Sequence, residues 1–207
     1  MATMIENLRK LNRKERFFLV GMALGNQEFR LSEVFRKELS EKFRVSVVES
    51  AFVAMDYHMN WMYAAAALTY EKPLINRIYD NTNKVIDGTQ EDVDLVVAFE
   101  DQSSLIHLIL LEAKGVTAFS NKQFEHKMNR LQSIFGEDGR KWLKVKPYFG
   151  LVSPKPPARL IYDVCPQWLK IDNAIPWFEM PIKDRITVFG CDYLGKPDQQ
   201  RAFWSVN

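Results

Sequence analysis

The chain has 207 residues, 47% apolar and 26% charged, with a formal net charge of +2, so it is neither a disordered tail nor a histone-like polycation. Two cysteines, Cys165 and Cys191, make neither a disulfide framework nor a metal spacing, and free thiols in a cytoplasmic setting are expected. Residues 1–14 are polar rather than signal-like, and the longest apolar stretch, 61–68, is too short to span a bilayer, so no membrane partner is expected.

Residues 4–11 and 13–24 carry helical apolar spacing with Gly25 as a stop, and Ser32 is placed to cap a third helix running to about Phe43. Over residues 1–44 ten Lys/Arg face six Asp/Glu, a mild excess that suits solvated helix faces and leaves room for phosphate contacts. Residues 47–70 are mostly apolar and include Ala64-Ala65-Ala66-Ala67, so length and alanine content predict one largely buried helix. Glu49, Asp56, Asn60 and Tyr63 would form a polar stripe along it. Ser46-Val47-Val48-Glu49 also fits a capping box, in which Glu49 only bonds back to the helix start. His58 reads as a packing or hydrogen-bonding side chain. After Pro73, residues 74–79 read as a short strand and Asp80-Asn81-Thr82-Asn83 as a turn. Residues 84–86 extend that pairing, making this the first strand of the sheet, antiparallel to the run that begins at Val93.

The stretch from Gln90 to Gln123 organises the rest. Two apolar runs, 93–99 and 105–111, flank Glu100-Asp101-Gln102-Ser103-Ser104, the pattern of a β-hairpin. Folding it brings Asp94 near Glu112 and Lys114, and strand alternation puts Glu112 and Lys114 on one face. Between Lys84 and Lys114 there is no Lys or Arg, but seven Asp/Glu. Gathered carboxylates repel one another, and a divalent cation such as Mg²⁺ or Mn²⁺ would relieve them. The Lys114 ammonium beside such a cation is placed to stabilise a phosphate or orient water. The plainer reading makes Asp94 and Glu112 strand ends and Lys114 their ion-pair partner.

Residues 121–135 then read as an amphipathic helix, with Gln123, Lys127 and Arg130 on its polar stripe and Phe124, Met128, Leu131 and Phe135 on its apolar face. From Ser120 to Lys146 inclusive, seven Lys/Arg outnumber three Asp/Glu. A strand at 148–153 follows, and a strand–helix–strand crossover places it parallel to and beside 105–111. Pro154-Lys155-Pro156-Pro157 is a rigid connector. Beyond it, 159–170 suggests a short helix, and 177–180, 185–193 and 202–206 suggest strands, with Gly195-Lys196-Pro197-Asp198 as a turn. Trp168, Trp177 and Trp204 read as core residues.

Asp94 opening one strand and Glu112-Ala113-Lys114 closing the next resembles the PD-(D/E)XK nuclease superfamily, over roughly residues 47–153. Val93 stands where the family name has proline, and Asp92 is the rival of Asp94 as ligand. The resemblance implies an α/β restriction-endonuclease-like fold: a mixed β-sheet flanked by helices with an αβββαβ core. Length makes one domain over 1–207 the expectation, with an N-terminal helical extension (1–45), a nuclease-like core (46–153) where the resemblance lies, and C-terminal extra strands (154–207) read from their own residues. The resemblance further implies a metal-dependent nuclease acting on nucleic acid, DNA before RNA, with a homodimer suited to paired cleavage of duplex. Asp94, Glu112 and Lys114 would be catalytic, with Gln123 near the scissile phosphate. Mg²⁺ or Mn²⁺ would be held by Asp94, Glu112, the carbonyl of Ala113 and Glu49 from the first core helix, with Asp56 as the rival of Glu49. Lys127 and Arg130 would face nucleic acid. The competing expectation is a non-catalytic nucleic-acid-binding or protein-interaction module on the same fold. No Gly-rich phosphate loop, HExxH or nucleophile elbow supports a small-molecule enzyme.

Overall fold

Strands β1 (Phe52–His58), β2 (Asp92–Glu100), β3 (Ile106–Ala113), β4 (Val145–Ser153) and β5 (Trp177–Glu179) form one mixed sheet in that spatial order. The computed structural model describes every residue except Met1, Thr89, Gln90, Val116, Lys183, Asp184, Arg185 and Asn207. The first three strands run as an antiparallel meander, with Ala54 opposite Val96 and Val97 opposite Ile109. β4 is parallel to β3, with Leu110 opposite Phe149, and β5 is parallel to β4. The expected hairpin, its return at residues 100–105 and the parallel neighbour beyond a helix are therefore all present. Gln90 and Arg185, with which two expected segments begin, lie outside the described residues.

Strand alternation divides the core between the two faces of the sheet. Val96, Ala98, Leu108 and Leu110 pack with residues of α1 (Met4–Leu11), α4 (Met59–Tyr70) and α5 (Asn121–Phe135). Val97, Phe99, Ile109 and Leu111 pack with Leu39 and Phe43 of α3 (Glu33–Phe43). Local chemistry explains the helix starts. Ser32 accepts from the Phe35 N–H, and Thr3 and Glu6 form a capping box. α2 (Glu15–Ala23) is followed by Gly25 at φ +64°, a left-handed conformation that glycine adopts without penalty.

The expected helix over 47–70 is a strand followed by a helix. Phe52-Val53-Ala54-Met55 has no polar alternation because both faces of β1 are covered there, which makes a buried strand look like a buried helix. Asp56 interrupts the pairing at φ +49°, and His58 begins α4 by accepting the Asn60 N–H on Nδ1 at 3.2 Å. Ser46 and Glu49 therefore form no capping box, and Glu49, Asp56, Asn60 and Tyr63 share no helical stripe. The strand expected at 74–79 is instead a tight turn, with one isolated bridge between Ile75 and Ile78 and positive φ at Asn76 and Arg77. Its place in the sheet belongs to β1. Residues 84–86 add no strand; the Asn81 side chain ties them down by bonding the Ile86 N–H and carbonyl.

Over 159–170 the only helical turn is the 3₁₀ segment Gln167–Leu169. β6 (Val188–Cys191) and β7 (Phe203–Val206) pair as a separate antiparallel hairpin, whereas β5 extends the main sheet. Trp177 donates to Ser153 Oγ and Trp168 to the Glu137 carbonyl, but Trp204 is 72% exposed and is not a core residue. No helix among the described residues is long and apolar enough to cross a membrane.

Candidate active site

The β2–β3 register, continued one step past the Leu95–Leu111 pair, sets Asp94 opposite Glu112. Asp94 Oδ2 accepts the Ala113 N–H at 2.6 Å, so a side chain finishes the ladder where the two main chains part. On the other edge of β3 the Lys114 N–H donates to the Val152 carbonyl at 2.9 Å. The parallel strand thus holds the start of Lys114 in place.

Glu112 is clamped by two ammonium groups. Lys114 Nζ lies 3.3 Å from Oε1, and Lys127 Nζ, arriving from α5, lies 2.7 Å from Oε2. Lys127 also donates to the Asp92 carbonyl at 2.5 Å. The Asp94 carboxyl is pushed above its usual range by burial first and by the negative charge of Glu112 second, while the Ala113 N–H, Lys114 and Lys127 pull it back. Asp94 and Glu112 thus share one small region with Lys114 and Lys127, two carboxylates beside two ammonium groups.

Glu112, Lys114 and Lys127 border an open cleft of about 730 Å³ whose lining also includes Glu91, Asp92, Gln123 and His126, with Asp94 just behind it at the Ala113 N–H. Gln123, in the first turn of α5, is exposed to it. The set Asp94, Glu112, Lys114, Ala113, Gln123 and Lys127 is therefore assembled by β2, β3 and α5.

Other expected residues lie elsewhere. Glu49 precedes β1, is 69% exposed and pairs with Arg30 at 3.9 Å beside a different cleft. The expectation that it joins the metal site fails because no helix carries it there. Asp56 pairs with Arg16 at 3.1 Å. Asp92, the rival of Asp94, turns its carboxylate to Lys14 at 2.5 Å. Arg130 does not face solvent: it is buried, donates to Asn60 Oδ1 and lies 3.8 Å from Asp87. That makes it a core ion-pair residue and removes it as a nucleic-acid contact. Lys127 is buried as well, so its stripe position led to the Glu112 clamp rather than to the surface.

The residues not foreseen are Glu91, Lys14 and His126. His126 Nδ1 stands 3.2 Å from Glu91 Oε2. A His one position before Lys127, on a helix already aimed at the hairpin, was the available signal; nothing local marks Lys14.

Oxygen donors suit Mg²⁺ or Mn²⁺, and Mg²⁺ commonly uses only one or two carboxylates, completing its sphere with water and phosphate. Asp94, Glu112 and the Ala113 carbonyl fit that requirement as a donor set. Among the described residues no group of three or more His, Cys, Asp or Glu side chains is gathered for a metal. A cation here would thus be shared with substrate, and it would compete with two lysines for Glu112. Scans of family models, curated proteins and solved structures found no match to this chain.

Proposed function

We propose that the protein is a metal-dependent nuclease with a restriction-endonuclease-like core, cleaving phosphodiester bonds of nucleic acid, DNA before RNA. The observation that carries this reading is the convergence of Asp94, Glu112 and Lys114 at the open end of the hairpin, with Lys127 brought in from the crossover helix. In this reading α3, the β1–β2–β3 meander, α5 and β4 stand for the αβββαβ core, and α4 is an insertion between its first two strands. No glutamate from a first helix is part of the site.

Asp94 and Glu112, with the Ala113 carbonyl, would hold the cation. Bound there, a divalent ion supplies Lewis-acid polarisation of the phosphate and acidifies a coordinated water. Lys114 shares the Glu112 face of β3 and offers its ammonium to charge developing on the phosphate oxygens. Lys127 fixes the Glu112 rotamer by holding Oε2. Gln123, on the cleft wall, has an amide able to bond a phosphate oxygen or the attacking water.

One observation favours a second reading, a non-catalytic nucleic-acid-binding module. Lys114 and Lys127 already balance the charges of Asp94 and Glu112 without any metal. Glu112→Gln separates the two. For an enzyme it abolishes metal-dependent cleavage while leaving a bound complex; for a binding module it leaves DNA affinity equal or tighter, and wild type shows no cleavage to lose.

A further inference from the structure

We propose that His126, positioned by Glu91, is the general acid that protonates the leaving oxygen; this rests on the nuclease reading above. Glu91 directly precedes β2, and its carbonyl accepts the Met59 N–H at 2.8 Å, which anchors it to the start of α4. Its side chain is 14% exposed, and Oε2 is buried without a hydrogen-bond partner among the described residues. Burying such an oxygen is costly unless opposite charge compensates. The His126 imidazole is the group that the structure sets beside that oxygen, with Nδ1 at 3.2 Å.

The rest of the imidazole is free to act. His126 is 65% exposed and lines the same cleft as Glu112, Lys114 and Gln123. With Nδ1 turned to Glu91, Nε2 is the nitrogen left for a substrate. Two amines of the cleft are committed: Lys127 is buried between Glu112 and the Asp92 carbonyl, and Lys114 serves Glu112 and the phosphate, while Lys122 stands exposed on the same wall.

The step balances. Water oxygen bonds to phosphorus as the bond between phosphorus and the leaving oxygen breaks. The proton on His126 Nε2 passes to that oxygen, which departs as a neutral hydroxyl. The proton displaced from water goes to solvent, from which the imidazole is reprotonated.

A leaving sulfur needs no proton, so single linkages with sulfur at the 3′- or 5′-bridging position test the assignment. Wild type, His126→Gln and Glu91→Gln are compared on these and on the ordinary linkage, with Mn²⁺. Loss of a general acid slows the ordinary linkage by about 100-fold or more. One of the two sulfur linkages is then cleaved by His126→Gln at a rate within about threefold of wild type, with Glu91→Gln intermediate on the ordinary linkage and rescued likewise. Equal slowing on oxygen and sulfur, or no slowing at all, overturns the assignment while wild-type cleavage keeps the nuclease reading. Absence of wild-type cleavage on every linkage overturns both.

Discussion

Replacing Lys127 with Met removes one ammonium from Glu112 while keeping the stem volume that packs in α5. Lys127 is 10% exposed and Glu112 16%, so the pair is nearly out of water, and its short contact of 2.7 Å has no ready substitute. Breaking a buried pair from one side costs about 3–5 kcal/mol. Here Lys114 still faces Oε1 at 3.3 Å, so the loss should be at the lower end. For about 3 kcal/mol in a chain of this size, the midpoint of thermal unfolding should fall by about 6–12 °C. Circular dichroism melts with and without Mg²⁺ read it. If the cation binds at Asp94 and Glu112, Mg²⁺ should raise the variant's midpoint more than that of wild type, because the vacated charge favours metal. A variant melting with wild type would refute the clamp, and equal Mg²⁺ shifts in both would refute a metal at Glu112.

Three further outcomes follow from the same geometry. The fold holds the Asp94 carboxyl above its usual range, so the native chain binds more protons than the unfolded chain between the two pKa values, and stability falls as pH rises through that window. Asp94→Asn should therefore melt above wild type at pH 7, with the gap closing below the ordinary carboxylate range; a variant less stable at pH 7 would contradict this. Asp101 is the opposite case: His107 first, then Ser103 and the Leu105 N–H, hold its carboxyl well below the usual range. The unfolded chain binds more protons there, so Asp101→Asn should lower the melting point at neutral pH and lose that effect in acid, and a pH-independent difference would refute the linkage. At Gly150 an added Cβ would lie 2.9 Å from Leu111 Cδ2 and 3.0 Å from Phe43 Cζ. Gly150→Ala should cost about 1–3 kcal/mol by chemical denaturation, and a neutral effect would mean that this face of the sheet is loosely packed.

Much of this arrangement is written locally in the chain. The hairpin, α3, α5 and β4 each carry their own signal: alternation or an apolar run bounded by polar turns, a Ser cap, a helical stripe. The triad of Asp94, Glu112 and Lys114 followed from folding that hairpin. β1 and α4 were not separable because a strand covered on both faces and an alanine-rich helix share the same apolar composition. Their boundary depends on Asp56 in a left-handed conformation and on His58 as a cap, neither a usual marker. Misplacing that boundary also misplaced Glu49. Arg130 and Lys127 sit on a polar stripe, yet both are buried, because Asn60 and Asp87 on one side and Glu112 on the other supply partners from distant sequence. Pairings of that kind are properties of the assembled sheet.

The most direct test of the proposed nuclease chemistry is cleavage of supercoiled plasmid and single-stranded DNA with Mg²⁺ or Mn²⁺ by wild type, Asp94→Ala and Lys114→Ala. Wild type should show cleavage that chelation abolishes, and each variant should lose at least about 100-fold, with Lys114→Ala still binding metal. Cleavage by wild type that both variants retain would take the chemistry away from the hairpin, and metal-dependent binding without cleavage would favour the module over the enzyme.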